Sequence, residues 1–241
     1  MGHEDRCISG KIMRNDMLGT IVVLLSLLLA ACNTASLAQN ATQISSLSAS
    51  KVNLSTPIAG SSTGEWPTYL ANNGRSGYNE TKTKAITTSS ASKLKQLWSF
   101  NAKRPISTQP VEANGMIYWG DWNGIEHATD LSGHEVWSTN LGTTTHPEHH
   151  CEPVAVGIAS TATVATVSIN GKKMLVLFVG GGDQHVYALN ASNGTVIWKT
   201  ALGASTVPSD SFLWSSPAYF QVNVNGVKHG MVGIASKNGS F

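Results

Sequence analysis

Charged residues are scarce in this chain, and neither sign dominates. Asp, Glu, Lys and Arg make up 12% of its 241 residues, and 16 basic against 14 acidic residues leave a formal net charge of +2. Proteins that bind nucleic acid carry a clustered excess of positive charge. The overall balance therefore argues against an RNA or DNA partner.

Cysteine is also rare, and the three residues Cys7, Cys32 and Cys151 stand far apart. The chain has no CxxCH motif, the attachment site of c-type haem, and none of the paired cysteines that hold structural zinc. We therefore expect no haem. A lone thiol in an oxidising compartment needs a partner, so we expect that of Cys151 beyond Phe241.

No apolar run is long enough to cross a bilayer comfortably. The run from Met17 to Ala31 follows two basic residues and has the length of a signal-peptide core. It ends in Leu-Ala-Ala-Cys, which resembles a bacterial lipobox. We predict that residues 1–32 are an export signal and that Cys32 is lipidated. The alternative is an ordinary secretory signal cleaved after Ala38.

The next stretch, residues 33–64, lacks aromatic side chains and carries one charge, Lys51. Ser, Thr, Ala, Asn and Gln dominate it, and such a composition cannot bury enough apolar surface to offset the entropy of the chain. We predict a flexible tether. The expected location is extracytoplasmic and membrane-anchored, or secreted if the cysteine is removed with the signal.

What the rest of the chain does contain is a repeat. Residues 123–137 and 183–198 share an alanine, a polar turn with glycine and a tryptophan; these are Ala128, Gly133, Trp137 and Ala188, Gly194, Trp198. A short repeat buries its apolar face only against a neighbouring unit. We therefore assign the tryptophans to packing between units in preference to ligand stacking.

Each unit also contains an Asn-Gly pair between apolar runs, beginning at Asn114, Asn170 and Asn225. Asn-Gly accepts the positive φ angles of a two-residue hairpin turn. A period in the fifties with four strand-sized pieces favours the blade of a propeller. We predict an all-β fold, a β-propeller of four-stranded antiparallel blades with about two and a half to three blades in residues 65–241.

The alanine, glycine and tryptophan pattern resembles the repeat of the quinoprotein-type, or PQQ-binding-like, β-propellers. EWPTYLANNGRSGYN (65–79) and SKLKQLWSF (92–100) resemble the start of that fold in quinoprotein alcohol dehydrogenases. GIASTATV (157–164) and LWSSPAYF (213–220) resemble first-strand motifs of successive blades. The third unit stops shortly after Gly239, so we expect an N-terminal fragment truncated within a blade.

The resemblance implies an oxidoreductase that acts on alcohols, polyols or sugars, with PQQ and calcium on the propeller axis. The adjacent cysteines found in many such enzymes are absent, and no motif assigns a calcium ligand or a catalytic base. Catalytic and cofactor-binding residues therefore stay unassigned. The same repeat also builds scaffolds without catalysis, so the alternative is a propeller that binds envelope proteins or glycans.

One loop gathers side chains that could bind a metal, and it defines a third hypothesis. His146, His149, His150 and Cys151 lie within six positions between two predicted strands. Imidazole and thiolate suit zinc or copper. Consecutive side chains diverge, however, so the favoured interpretation is a polar loop between blades with its cysteine in a disulfide.

Other titratable residues within the repeats have structural interpretations. Asp121 and Asp183 lie at equivalent turns, where we expect them to cap the turn and not to act as a catalytic base. His127 and His134 are interpreted as surface or strand positions.

Overall fold

Three Asn-Gly hairpins organise the strands of this protein. The computed structural model describes residues 65–78, 86–145, 155–202 and 212–236. In each pair both residues have positive φ, with values of 53° and 75° at Asn114-Gly115, 50° and 76° at Asn170-Gly171, and 52° and 84° at Asn225-Gly226. The predicted two-residue hairpins are therefore confirmed.

The hairpins belong to three successive antiparallel sheets. The first blade contains β1 (Val111–Ala113), β2 (Met116–Gly120), β3 (Ile125–Asp130) and β4 (Glu135–Asn140), paired in that order. A short pair, β5 (Thr144–Thr145) and β6 (Ala155–Val156), lies on the connection. The second blade contains β7 (Thr163–Ile169), β8 (Lys172–Gly180), β9 (His185–Asn190) and β10 (Val196–Ala201), and the third contains β11 (Ala218–Val224) and β12 (Val227–Gly233).

The all-β prediction, with four-stranded antiparallel blades, is thus confirmed. A short 3₁₀ turn at Ala91–Lys93 is the one helical element among the described residues. No helix in the ranges that the structure describes is long and apolar enough to cross a membrane.

Apolar side chains fill the space between consecutive blades. Between the first and second blades, Tyr118 and Trp137 pack in one cluster with Leu177 and Val179. On the other side of β8, Val176 and Phe178 join a cluster with Tyr219 of the third blade. Both faces of β8 are therefore covered, which explains why its sequence is apolar without alternation.

The repeated alanine and tryptophan face each other across two strands. Ala128 pairs with Trp137, and Ala188 pairs with Trp198. The Trp137 indole is 8% exposed, and its Nε1 donates to the carbonyl of Ala191 at 2.9 Å. A Cβ atom added at Gly194 would lie 2.6 Å from this ring. The glycine therefore makes room for the tryptophan of the preceding blade.

Trp98 makes the same contact one unit earlier. Its Nε1 donates to the carbonyl of Leu131 at 3.0 Å, and a Cβ at Gly133 would lie 2.5 Å from its ring. Residues 94–100 therefore occupy the place of a fourth strand in front of the first blade. Trp198, next in the series, is 38% exposed and lies 6.0 Å from the Phe178 ring.

Hydroxyl groups join the inner edges of the blades. The backbone N–H of Gln109 donates to Thr161 Oγ1 at 2.8 Å, and that of Thr161 donates to Ser216 Oγ at 3.1 Å. Leu70 N continues the series by donating to Gln109 Oε1 at 2.8 Å. The residues that make these bonds belong to the Ser/Thr segments next to the first strands β1, β7 and β11. They lie just before them, because their groups bond across blades and not along a ladder.

We predict that Gly194→Ala destabilises the protein more than Gly171→Ala. Both glycines have positive φ, 72° and 76°, so both substitutions carry the backbone cost of about 1–2 kcal/mol for a left-handed residue. An added methyl has open space at Gly171 but meets the Trp137 ring at Gly194. Overpacking should add about 1–3 kcal/mol there. Urea unfolding of the two variants measures the difference, and equal losses would contradict the seating of the indole on the glycine.

Candidate functional site

The segments that precede the first strands of the blades enclose a cavity of about 430 Å³. Ser107 precedes β1, Ala159 and Thr161 precede β7, and Trp214, Ser215 and Ser216 precede β11; Tyr69 and Arg75 complete the described lining. Because all three blades contribute equivalent positions, the cavity lies at their shared inner edge. This is where a propeller has its axis.

Residues 65–78, called the lead-in segment here, run along this inner edge. Trp66 and Glu112 exchange backbone hydrogen bonds of 2.9 and 3.0 Å, and Val164 N donates to Pro67 O at 2.7 Å. The Asn73 side chain donates to Tyr219 O at 2.6 Å. The lead-in segment therefore contacts a strand of every blade.

The backbone of the lead-in segment is strained where it reaches the cavity. Leu70, Ala71 and Arg75 have positive φ angles of 54°, 74° and 54°. Each costs of order 1–3 kcal/mol in a residue other than glycine, and such conformations persist only where the surroundings impose them. Strain of this kind clusters at ligand sites, which supports a binding role for the segment.

Arg75 brings a positive charge to the cavity. Its guanidinium donates to the carbonyl of Tyr69 at 2.8 Å, to Thr68 Oγ1 at 3.2 Å and to the carbonyl of Pro217 at 3.4 Å. Burial lowers the pKa of Arg75 from its ordinary value. Among the described residues, none of the ion pairs involves Arg75. The cavity thus holds a cation that has no carboxylate partner in the described part of the chain.

Several hydroxyl groups in the lining act as acceptors toward the protein. Ser107 Oγ accepts from Trp122 Nε1 at 2.9 Å, Ser215 Oγ accepts from Ala235 N at 3.3 Å, and Thr161 and Ser216 accept the backbone bonds described above. A hydroxyl that accepts in this way keeps its own hydrogen to donate. Together with Arg75, these groups make the cavity rich in donors.

An aromatic wall closes one side of the cavity. The Trp214 side chain is 46% exposed and is held edge-on by Trp122 at 6.3 Å and by Phe212 at 6.0 Å between ring centroids. The exposed part of this indole is available for contact with a planar group. Donors and an aromatic face together suit a planar anion.

The described lining includes no Asp, Glu, His or Cys, so it offers binding groups without a general base. Within the four described ranges, no three His, Cys, Asp or Glu side chains converge as a metal site requires. The predicted metal ligands His146, His149, His150 and Cys151 lie outside the described residues, as does the predicted lipidation site Cys32.

Two aspartates have the structural role expected from the sequence. Asp121 Oδ1 accepts from the backbone N–H groups of Asn123 at 2.9 Å and Ile125 at 3.1 Å. Asp183 Oδ1 accepts from His185 N at 3.2 Å, and its Oδ2 accepts from the Tyr187 hydroxyl at 2.6 Å. The prediction of turn capping is confirmed for both.

The two histidines of the first blade differ. The His134 side chain is 80% exposed, as a surface position should be. His127 is 7% exposed and stacks on Trp119 with 4.0 Å between ring centroids. His127 therefore has the strand position that was the second of the two interpretations, and its side chain is buried.

Glu126 is a buried carboxylate that the sequence analysis missed. It is fully buried, and neither carboxylate oxygen has a hydrogen-bond partner among the described residues. Burial, and secondarily the charge of Asp121, raises the pKa of Glu126 well above its ordinary value. Strand pairing gives Val186 the equivalent position in the second blade. Aligning the two repeats would have revealed this exchange of valine for glutamate.

Comparisons with known proteins find one family model and several solved structures that this chain resembles in part. Residues 124–240 match the family model described as outer membrane protein assembly factor BamB, of the PQQ_2 type. No curated protein matches the chain.

Three solved structures are similar in part. A quinohemoprotein alcohol dehydrogenase from Comamonas testosteroni is 17% identical with a TM-score of 0.47, over 74% of this chain and 26% of that chain. A europium-containing methanol dehydrogenase is 19% identical with a TM-score of 0.44, over 73% and 31%. BamB from Moraxella catarrhalis is 16% identical with a TM-score of 0.23, over 58% and 56%. The chain spans about a quarter to a third of the length of the two dehydrogenases.

We predict that Glu126→Val changes how stability depends on pH. A raised pKa in the folded state means that the folded protein favours the neutral acid, so the wild-type chain loses stability as pH rises from the unfolded pKa, about 4.5, through the folded value. The valine variant lacks this loss, so its advantage should grow toward neutral pH. Chemical unfolding between about pH 5 and 8 measures it.

Glu126→Gln is the matched control, since it removes the titration but keeps a buried polar group. It should flatten the same pH dependence but be less stable than the valine variant at every pH, because it keeps a buried polar group without a hydrogen-bond partner. A pH dependence that both variants retain would show that another group causes it.

Proposed function

We propose that this protein, whose residues 124–240 match the family model described as outer membrane protein assembly factor BamB, is an exported, lipid-anchored propeller whose axial cavity binds a planar ligand with carboxylate groups. PQQ belongs to this chemical class. The observation that carries the proposal is Arg75, a partly buried cation without a carboxylate partner among the described residues, set in a cavity rich in donors.

The described lining fits PQQ as a ligand. Arg75 and the hydroxyl groups of Ser107, Thr161 and Ser216 would hold its carboxylates, and the exposed face of Trp214 would stack on its ring. When bound, PQQ supplies a hydride acceptor for the oxidation of alcohols, polyols or sugars. The described lining does not fit calcium, which requires oxygen ligands such as carboxylates.

The residues of this chain would act on such a ligand by binding and orientation. Arg75 is itself fixed by two carbonyls and by the ring of Tyr69, which lies 5.4 Å from the guanidinium carbon. A cation held in this way meets the ligand without first losing side-chain freedom. The base that takes a substrate proton is not among the described lining residues. Oxidation of a substrate is therefore a second step of the proposal, beyond the binding of PQQ.

The second candidate is a propeller without catalysis that binds envelope proteins or glycans. The description of the matching family model, an assembly factor of the outer membrane, favours it. It accounts equally well for a described cavity without acidic groups. The two candidates differ in whether the cavity binds a quinone.

The proposed location follows from the first 64 residues, with an export signal, a lipidated Cys32 and a polar tether. The domain would then stand outside the cytoplasm at a membrane surface. The alternative remains a secreted protein.

We predict that PQQ binds saturably to the full-length gene product lacking residues 1–32, and that Arg75→Gln weakens binding about tenfold to a hundredfold. Losing a charged hydrogen bond to a carboxylate is worth this amount. Calorimetric titration with and without calcium measures both affinities. Arg104→Gln is the control, because Arg104 is exposed and does not line this cavity.

If a protein shown to be folded gave no heat of PQQ binding, the oxidoreductase hypothesis would be wrong. The non-catalytic scaffold would then be the remaining candidate. Equal losses in the two arginine variants would place the ligand elsewhere.

We predict that Cys32→Ser abolishes incorporation of labelled palmitate and releases the protein from membranes washed at high salt, which screens contacts between exposed charges. The lipid is attached to that thiol, and a tether with one charge, Lys51, and no aromatic residue gives no other apolar anchor. Cys7→Ser should label like the wild type. Soluble, unlabelled wild-type protein starting at Gln39 would establish the secreted alternative.

A further inference from the structure

The balanced net charge hides a local excess of positive charge. Between Thr81 and Val111 there is no Asp or Glu, yet this stretch holds six of the 16 basic residues: Lys82, Lys84, Lys93, Lys95, Lys103 and Arg104. All 14 acidic residues lie elsewhere, so the rest of the chain is net negative. The charge is therefore segregated along the sequence.

The structure presents the described part of this stretch to solvent. Lys93, Lys95, Lys103 and Arg104 are exposed, and none of them takes part in an ion pair of the described residues. Leu94 is 64% exposed, Leu97 89% and Ile106 45%. We call residues 93–106 the basic segment. It displays cations and large apolar side chains side by side.

Three contacts fix the basic segment on the domain. Trp98 is seated on the turn at Leu131, the Phe100 ring lies 5.0 Å from that of Trp119, and Pro105 O accepts from Trp122 N at 3.0 Å. Because Trp98 and Phe100 point inward, the residue between them and Leu97 point outward. The exposed side chains thus belong to a segment whose backbone is fixed against the first blade.

The outward face would stay exposed beside a complete blade. Trp98 is equivalent to Trp137, so Leu97 is equivalent to Val136. In the complete first blade Val136 is still 52% exposed. Additional strands in front of the first blade would therefore leave the position of Leu97 open to a partner.

We propose that the basic segment docks on an anionic phospholipid surface. Lysine and arginine near such a surface gain from its negative potential, and apolar side chains beside them enter the boundary between headgroups and acyl chains. The exposed groups lie within one short run of sequence, residues 93–106, so a continuous anionic surface can meet several of them at once. An acidic protein would have to match each cation in position. The charge and the apolar side chains together therefore favour lipid.

Docking would orient the domain as well as hold it. A lipid at the end of a polar tether limits distance but not direction. Contact through the basic segment would turn the side of the first blade that carries Trp98 toward the membrane. The proposal does not depend on the lipid anchor or on a ligand in the axial cavity.

The test is cosedimentation of the full-length gene product lacking residues 1–32, shown to be folded by circular dichroism, with vesicles. One set contains equal parts of phosphatidylglycerol and phosphatidylcholine, and the other contains phosphatidylcholine alone. Binding is expected to the first set and to fall as salt rises. Lys93→Glu combined with Lys95→Glu should lower the partition coefficient at least about tenfold.

The matched control is Lys172→Glu combined with Lys173→Glu. These two exposed lysines lie on the hairpin of the second blade, and the change in net charge is the same. The control should change partitioning by less than about threefold, since distant exposed charges are screened. Likewise, Leu97→Ser should weaken binding more than Val136→Ser.

Three outcomes would overturn the proposal. The chain could fail to bind anionic vesicles, or the two lysine pairs could have equal effects, which would mean a diffuse charge effect. Binding to polyglutamate or to a single-stranded oligonucleotide, without binding to vesicles, would assign the segment to a protein or nucleic-acid partner. None of these results bears on PQQ binding or on Cys32, so the proposals fail independently.

Discussion

The seating of a tryptophan from one blade on the glycine turn of the next is the contact on which the described array depends. The indole N–H reaches a turn carbonyl, the ring lies where a Cβ atom would stand, and the paired alanine leaves it space. One residue thus provides apolar burial, a buried hydrogen bond and a fixed spacing between blades. The same contact at Trp98 shows that it belongs to the repeat and not to one interface.

Two sets of hydrogen bonds to hydroxyl groups, one within blades and one between them, position the lining of the cavity. One hydroxyl of each motif bonds within its blade, as Ser160 does to Gly180 N, and the next accepts from the neighbouring blade. These bonds bring segments far apart in sequence to a common inner edge. The lead-in segment then adds Arg75 and Tyr69 from a fourth direction. The cavity is therefore a product of the array, and no single repeat contains it.

Local signals predicted the fold well, because hairpins depend on residues that are adjacent in sequence. The Asn114-Gly115 pair is enough to predict its hairpin turn. The continuous apolar run of β8 is enough to predict that both faces of that strand are buried. The place of Arg75 could not be predicted, since it depends on how the lead-in segment crosses three blades. Which of the two interpretations applied to His127 could not be decided from the sequence, because its strand has polar residues on both faces. Glu126 could have been found by aligning the repeats, where its counterpart is Val186.

The seating contact also bears on how the chain reaches its native state. The residues that it joins are 33 apart in sequence at Trp98 and 54 apart at Trp137, about one repeat or less. Such separations are short for an all-β protein, in which closing long loops slows folding. During synthesis from the N-terminus, the tryptophan of each blade meets its glycine turn once about one further repeat has been made. Assembly can then advance blade by blade, with only the newest tryptophan waiting for its partner.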